Sequence, residues 1–182
     1  FLPLLTGGAI VVYDSDPGHH DLAVLRVFED DAVDIVKLTP AHLGLLLEHG
    51  SLNTQRIHSL IVGGEDLSQR LAQRVHDALG ESVAIYNEYG PTEATVGCMS
   101  HRHNAEHETA ASVPIGGPLA NTRIYILDPA MRPLPRGVRG ELWIGGSGVA
   151  RGYRGAPTET ATRLCTSMMR RDAASAPVAK TT

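Results

Sequence analysis

The first ninety residues change their apolar period repeatedly, short β-branched runs giving way to stretches with apolar residues three to four positions apart. Ala9-Ile-Val-Val-Tyr13 reads as a buried strand, and residues 21–29 place Leu22, Leu25 and Phe28 on one helical face. Asp34-Ile-Val-Lys-Leu-Thr39 returns to strand. Pro40 then suits a first helical turn, where its missing N–H has no partner to lose, and Gly50 suits the end of that helix. Ser59-Leu-Ile-Val62 is the next strand. Ser68 is placed to cap a helix carrying Leu71, Val75 and Leu79 on one face, with Gly80 as its stop. Val83-Ala-Ile-Tyr86 closes the series. Strands spaced by helix-length segments must pair in parallel through right-handed crossovers, which is an α/β sheet.

After Gly90 the texture changes. Val96 to Ser100, Thr122 to Leu127 and Glu141 to Ile144 read as strands joined by Gly/Pro-rich turns, without a helical pattern between them. The expected organisation is an α/β subdomain over 1–100, a β-rich, barrel-like subdomain over 101–164, and a disordered tail over 165–182. A helix is expected from Thr158 to about Met169. At 182 residues, 42% hydrophobic and 20% charged, the chain is too apolar for a disordered one. A net charge of −4 gives no footprint for nucleic acid or an anionic membrane, and no apolar run approaches the roughly 18 residues of a membrane helix. The two cysteines form no framework and fit a reducing, cytoplasmic compartment.

The sharpest chemistry lies at Tyr86-Asn-Glu-Tyr-Gly-Pro-Thr-Glu93. The segment falls where a parallel strand ends, and open α/β sheets bind ligands outside those ends. Gly90-Pro91 forces a turn there. The amide of Asn87 could read a base edge, Tyr89 could stack a base, Thr92 could hold a phosphate and Glu93 could hold Mg²⁺. A capped surface turn would use the same residue types.

Gly140-Glu-Leu-Trp-Ile-Gly-Gly-Ser-Gly-Val-Ala-Arg-Gly-Tyr153 fails as a phosphate loop, since Arg151 stands where a third glycine would be needed. Ser147 followed directly by Gly148 also misses nucleophile-elbow spacing. The segment reads as a strand entering a glycine bend. His101, His103 and His107 sit among Asn104, Glu106, Glu108 and Thr109 with no cysteine pair, which reads as a solvated loop rather than a zinc site. His19-His20 reads as a turn.

Asn87 to Glu93 resembles the N-x-Y-G-P-T-E core motif of the adenylation domains of nonribosomal peptide synthetases, within the adenylate-forming superfamily. Gly140 to Tyr153 is similar to that family's G-E-L-x-I-x-G-x-G-x-A-R-G-Y motif, and Val113 to Asp128 to the stretch joining them. The resemblance runs to about Leu164; Cys165 to Arg171 departs from it. It implies activation of an amino acid or related carboxylic acid by ATP and Mg²⁺, forming an aminoacyl-adenylate and pyrophosphate. The acyl group then passes to phosphopantetheine on a carrier (thiolation) domain, with a condensation domain as a further partner.

By the same resemblance Asn87 contacts adenine and Tyr89 stacks on it beside Gly90, Thr92 bonds a phosphate oxygen, and Glu93 coordinates Mg²⁺. The amino-acid pocket would be lined by Ala41, Ile61, Gly63, Glu88, Val96 and Gly97, with Glu88 its one carboxylate and an amide or ammonium substrate its natural complement. The phosphate loop, the ribose-binding Asp and the lid with its catalytic Lys are expected outside this sequence. The chain alone is therefore expected to be an inactive, poorly soluble fragment of an active enzyme. An acyl-CoA or aryl-acid ligase and a non-catalytic remnant remain alternatives.

Overall fold

A computed structural model of the chain describes residues 2–13, 23–50, 52, 54–105, 110–165 and 178–180. The helices are α1 (Leu2–Leu5), α2 (Ala23–Asp30), α3 (Pro40–His49), α4 (Gln69–Leu79) and α5 (Pro157–Arg163). The strands are β1 (Ile35–Leu38), β2 (Ser59–Gly63), β3 (Ala84–Tyr89), β4 (Met99–Arg102), β5 (Gly117–Pro118), β6 (Thr122–Leu127), β7 (Glu141–Gly146), β8 (Leu164–Cys165) and β9 (Val178–Lys180). One sheet has the order β1-β2-β3-β4-β5 and the other β6-β7-β9-β8.

The chain divides into two interleaved units, Phe1–Asn87 with Arg102–Pro114, and Glu88–His101 with Ile115–Thr182. The boundary expected after residue 100 is thus not a single cut, because β3 and β4 each contribute to both units.

The first unit is the α/β layer. β1 and β2 pair in parallel, Ile35 opposite Ser59 and Leu38 opposite Val62. The helix ends are built from local chemistry. Thr39 is the N-cap of α3, its hydroxyl accepting from the His42 N–H at 3.4 Å while His42 Nδ1 accepts from the Thr39 N–H at 3.3 Å. Pro40 occupies the first turn, and Gly50 closes the helix at φ 66°, a conformation that favours glycine. Ser68 caps α4 by accepting from the Leu71 N–H at 3.2 Å. Leu43 and Leu46 of α3, Leu60 and Val62 of β2, and Val75 of α4 are fully buried together. Each such side chain contributes about 1.5–3 kcal/mol on leaving water.

The second unit is antiparallel. β6 and β7 pair along their length, Thr122 opposite Gly146 and Leu127 opposite Glu141, and β4 pairs with β5. Ala94, Cys98, Met99 and Ile144 form its larger buried cluster, and Leu127 with Trp143 a smaller one.

Several expectations change. Residues 9–13 form no strand, and Ile10, Val11 and Val12 are 49%, 45% and 80% exposed. β-branched composition marks a strand only where a neighbour offers a ladder, and none of the described strands pairs with this run. The strand expected from Val96 begins at Met99, because Val96 sits at φ 68°. The final helix stops at Arg163, and Leu164–Cys165 is strand. Val178–Lys180, expected within a disordered tail, pairs with β7 and β8. The β-rich unit is an open four-stranded sheet rather than a barrel among the described residues. Leu22, His19-His20, residues 106–109, and 166–177 of the tail lie outside the described residues.

Candidate functional site

β3 carries the first motif, and its alternation sorts the side chains. Ile85 and Asn87 point to the buried face. Asn87 is only 5% exposed, and its amide nitrogen donates to the Val113 carbonyl at 2.9 Å and the Pro114 carbonyl at 3.1 Å. Both amide protons are therefore committed to the backbone, as burial of a polar group requires. The side chain pins the 113–114 segment to the strand, a task the linear motif does not reveal.

Tyr89, half-buried, packs against the cluster of Ala94, Cys98, Met99 and Ile144. Glu88 falls on the opposite face of the strand, beside Gly97.

The turn that follows is unusually constrained. A Cβ on Gly90 would lie 2.0 Å from the Val96 carbonyl oxygen, so no other residue fits without moving the backbone. Pro91 leads into one 3₁₀ turn, Thr92–Ala94. Thr95 and Val96 then both adopt positive φ, 60° and 68°. Consecutive β-branched residues in that region cost on the order of 1–3 kcal/mol each, and they persist only where the surroundings hold them. The holding contacts are present. Thr95 N–H donates to the Thr92 carbonyl at 3.2 Å, Gly97 N–H to the Thr95 carbonyl at 2.9 Å, and Cys98 N–H to the Tyr89 carbonyl at 3.0 Å.

The second motif supplies the rest. Gly146 bends β7 at φ 134°, where a Cβ would lie 2.1 Å from the Asn121 carbonyl oxygen. The bend delivers Gly148, whose carbonyl accepts from the Thr95 hydroxyl at 2.5 Å. It also delivers Ala150, whose N–H donates to the Glu93 carbonyl at 2.7 Å. Tyr153, at its end, donates its hydroxyl to Glu93 Oε1. Two blocks about sixty residues apart in sequence thus close on the same turn, at Glu93 within it and at Thr95 that ends it.

The electrostatics follow from that contact. The Tyr153 hydroxyl, with help from Glu93's own N–H, holds the Glu93 carboxyl below the usual carboxylate range. The same bond pushes the Tyr153 phenol above its ordinary value. Glu93 is therefore an ionised, half-buried carboxylate, and Thr92 beside it is exposed. Among the described residues no group of three or more His, Cys, Asp or Glu side chains could hold a metal ion. A single carboxylate fits a Mg²⁺ that takes its remaining ligands from phosphate and water.

The expected pocket residues divide between the units. In the first, Ala41 opens α3 with its N–H donating to Glu65 Oε2 at 3.3 Å, Ile61 is half-buried on β2, and Gly63 is buried at that strand's end. In the second, Val96 is 59% exposed, and a Cβ on Gly97 would lie 2.5 Å from the Glu88 carboxylate.

The sequence profile of the AMP-binding enzyme family matches residues 1–154, and it takes in both motifs that meet at the turn. The chain belongs to that family. It is 47% identical over 166 residues to one of the mycosubtilin synthase proteins of Bacillus subtilis, an alignment covering 90% of this chain and 6% of that protein. The chain thus spans a small fraction of that relative's length. A four-domain nonribosomal peptide synthetase solved with AMP and glycine is 30% identical, with a TM-score of 0.72 over 87% of this chain and 11% of that one. Klebsiella oxytoca NpsA in complex with 3-hydroxyanthranilyl-AMSN is 27% identical, with a TM-score of 0.80 over 97% of this chain and 36% of that one.

Within this member of the AMP-binding enzyme family, Tyr153 is a polar residue whose role the sequence does not show. Tyr153 closes the second motif, but nothing in linear spacing ties it to Glu93. The only available signal was a hydroxyl placed just after a glycine bend.

Proposed function

We propose that this chain is the part of an amino-acid-activating enzyme that grips Mg²⁺ and the phosphates of ATP during formation of an aminoacyl-adenylate. The carrying observation is the turn at Thr92–Ala94, where an ionised carboxylate and an exposed hydroxyl sit on a backbone held by a second, distant motif. Family membership and the synthetases among its relatives support the same reading.

In this reading the Glu93 carboxylate holds Mg²⁺ and the Thr92 hydroxyl donates to a phosphate oxygen. Bound there, the ion would shield charge building on the triphosphate as pyrophosphate leaves. The exposed part of Tyr89 stacks on adenine, its other side steadied by the cluster beneath it; base stacking on aromatic rings is worth about 1–3 kcal/mol. Asn87 approaches the base through Oδ1, since its amide nitrogen is already engaged. Ala41, Ile61, Gly63, Glu88, Val96 and Gly97 serve recognition of the amino acid. Glu88 favours a substrate side chain that donates hydrogen bonds. The activated acyl group passes to phosphopantetheine on a carrier domain, with a condensation domain as a further partner.

The test is ATP–pyrophosphate exchange by the parent adenylation domain across a panel of amino acids. Glu93→Gln should lower exchange about 10²- to 10³-fold, the usual cost of one transition-state contact. An unchanged rate would refute the role of the turn. Preference for a plain aliphatic amino acid would refute the role of Glu88.

A further inference from the structure

Glu93 does not choose its own direction. Its backbone carbonyl is tied to the Ala150 N–H at 2.7 Å, and its carboxylate takes the Tyr153 hydroxyl. Tyr153 is itself anchored. Its N–H donates to Thr160 Oγ1 at 2.9 Å, and the Thr160 hydroxyl in turn donates to the Ala156 carbonyl at 2.9 Å, locking that side chain to the start of α5. The preceding Gly152 lies at φ 147°, where a Cβ would sit 2.7 Å from Thr160 Cγ2. Only glycine lets the chain pass the threonine this closely. We infer that Tyr153 is a positioning residue for Glu93, aiming its carboxylate through a relay that starts at Thr160 on α5.

A carboxylate on a flexible two-carbon stem loses side-chain entropy each time it must meet a cation in one orientation. A hydroxyl fixed on one oxygen removes much of that freedom beforehand and leaves the other oxygen for a ligand. Groups that orient ligating carboxylates from behind are worth about 10- to 100-fold in metal affinity. Tyr153 suits this work because its ring is rigid and its backbone is tied at Thr160. The charged groups of α5 that act on the pair are Glu159 and Arg163, of opposite sign.

This inference rests on the reading of Glu93 as the carboxylate that meets Mg²⁺, and the test separates the two. The full chain and the parent adenylation domain are each titrated with Mn²⁺ in the presence of ATP, followed by electron paramagnetic resonance. ATP binding in EDTA is measured alongside, and exchange kinetics are recorded against Mg²⁺ concentration. Tyr153→Phe should weaken Mn²⁺ binding about tenfold and raise the Mg²⁺ requirement in step, while metal-free ATP binding stays unchanged. Thr160→Val, remote from the carboxylate, should shift both in the same direction by less, and Thr160→Ser should restore them. Thr160→Val also stands in should Tyr153→Phe fail to fold. If Glu93→Gln weakens Mn²⁺ binding while Tyr153→Phe and Thr160→Val do not, the positioning role is overturned and the reading of Glu93 stands. If Glu93→Gln leaves Mn²⁺ binding unchanged, the metal reading fails and the inference falls with it. A uniform loss of ATP binding with and without metal would mark Tyr153 as structural packing and overturn the inference.

Discussion

Gly90 and Gly97 flank the same strained turn but answer differently to an added methyl group. At Gly90 the obstacle is the Val96 carbonyl, 2.0 Å from the added atom and part of the backbone that carries the two left-handed residues. Gly90→Ala should therefore destabilise the protein by about 3 kcal/mol, the upper range for overpacking, read as a lower urea midpoint. At Gly97 the obstacle is the end of the Glu88 side chain, 2.5 Å away, which can rotate. Gly97→Ala should leave the thermal midpoint nearly unchanged while shifting which amino acids the parent domain activates, measured by pyrophosphate exchange. Loss of folding in Gly97→Ala would mean that Glu88 is fixed in place. Glu93 and Tyr153 show the same contrast between legible and hidden. The carboxylate stood out in the sequence by its place after a Gly-Pro turn, whereas its phenolic partner, the last residue of the second motif, sits sixty positions away with nothing in the linear pattern joining the two.

At the scale of elements, the helices of the first unit were the most readable part of the chain because their ends carry local chemistry. Pro40 and Gly50 bound α3, and Ser68 and Gly80 bound α4, each at its expected place, while Thr39, read in the sequence as the end of a strand, is the N-cap of α3. Ser68→Ala should cost about 1 kcal/mol in chemical denaturation, the usual worth of an N-cap. A second device, this one not local, ties the segment before β1 to the turn before β2, where Asp31 draws residues 54–57 together. Its carboxylate accepts from the Thr54 hydroxyl and from the N–H groups of Gln55 at 2.8 Å and Arg56 at 3.1 Å. Those bonds, Thr54 first among them, hold its carboxyl below the usual range. The unfolded chain thus binds this proton more readily than the folded one. The stabilisation is complete above the ordinary aspartate range and fades as pH falls through the folded value. Asp31→Asn should lower stability in the neutral region, where the carboxylate's contribution is complete, and flatten the acid limb of a stability–pH curve, the two proteins converging at low pH. An unaltered acid limb would remove Asp31 from that account. Strand ends were harder to place. β4 starts three residues later than its apolar pattern suggests, because the chain is still inside the turn at Val96.

For the molecule as a whole, the core of the α/β unit is where stability concentrates. Leu43, Leu46, Leu60 and Val62 are fully buried, while Ile10 to Val12 are open to solvent. Leu46→Ala should cost about 2–5 kcal/mol. Hydrogen exchange should find the amides of Leu60 and Val62 among the slowest and those of residues 9–13 among the fastest. Fast exchange across β2 would contradict the assigned core. The interleaving of the two units could not be read from a linear pattern. A composition shift near Gly90 is visible in the sequence, but strands that serve two units at once are a property of pairing.

Everything that depends on neighbours within a few positions is therefore legible in the linear chain: helix caps, apolar periods, the Gly-Pro turn and the order of its motifs. Family membership belongs here too, because it rests on residue types in order. The tertiary structure alone decided which carbonyls Asn87 would occupy, that the bend after β7 would close over Thr95, and that Tyr153 would hold Glu93. Those contacts join residues twenty-six to sixty positions apart. Their cost is the entropy of closing long loops, and it is met by cooperative packing within each unit rather than by any local preference.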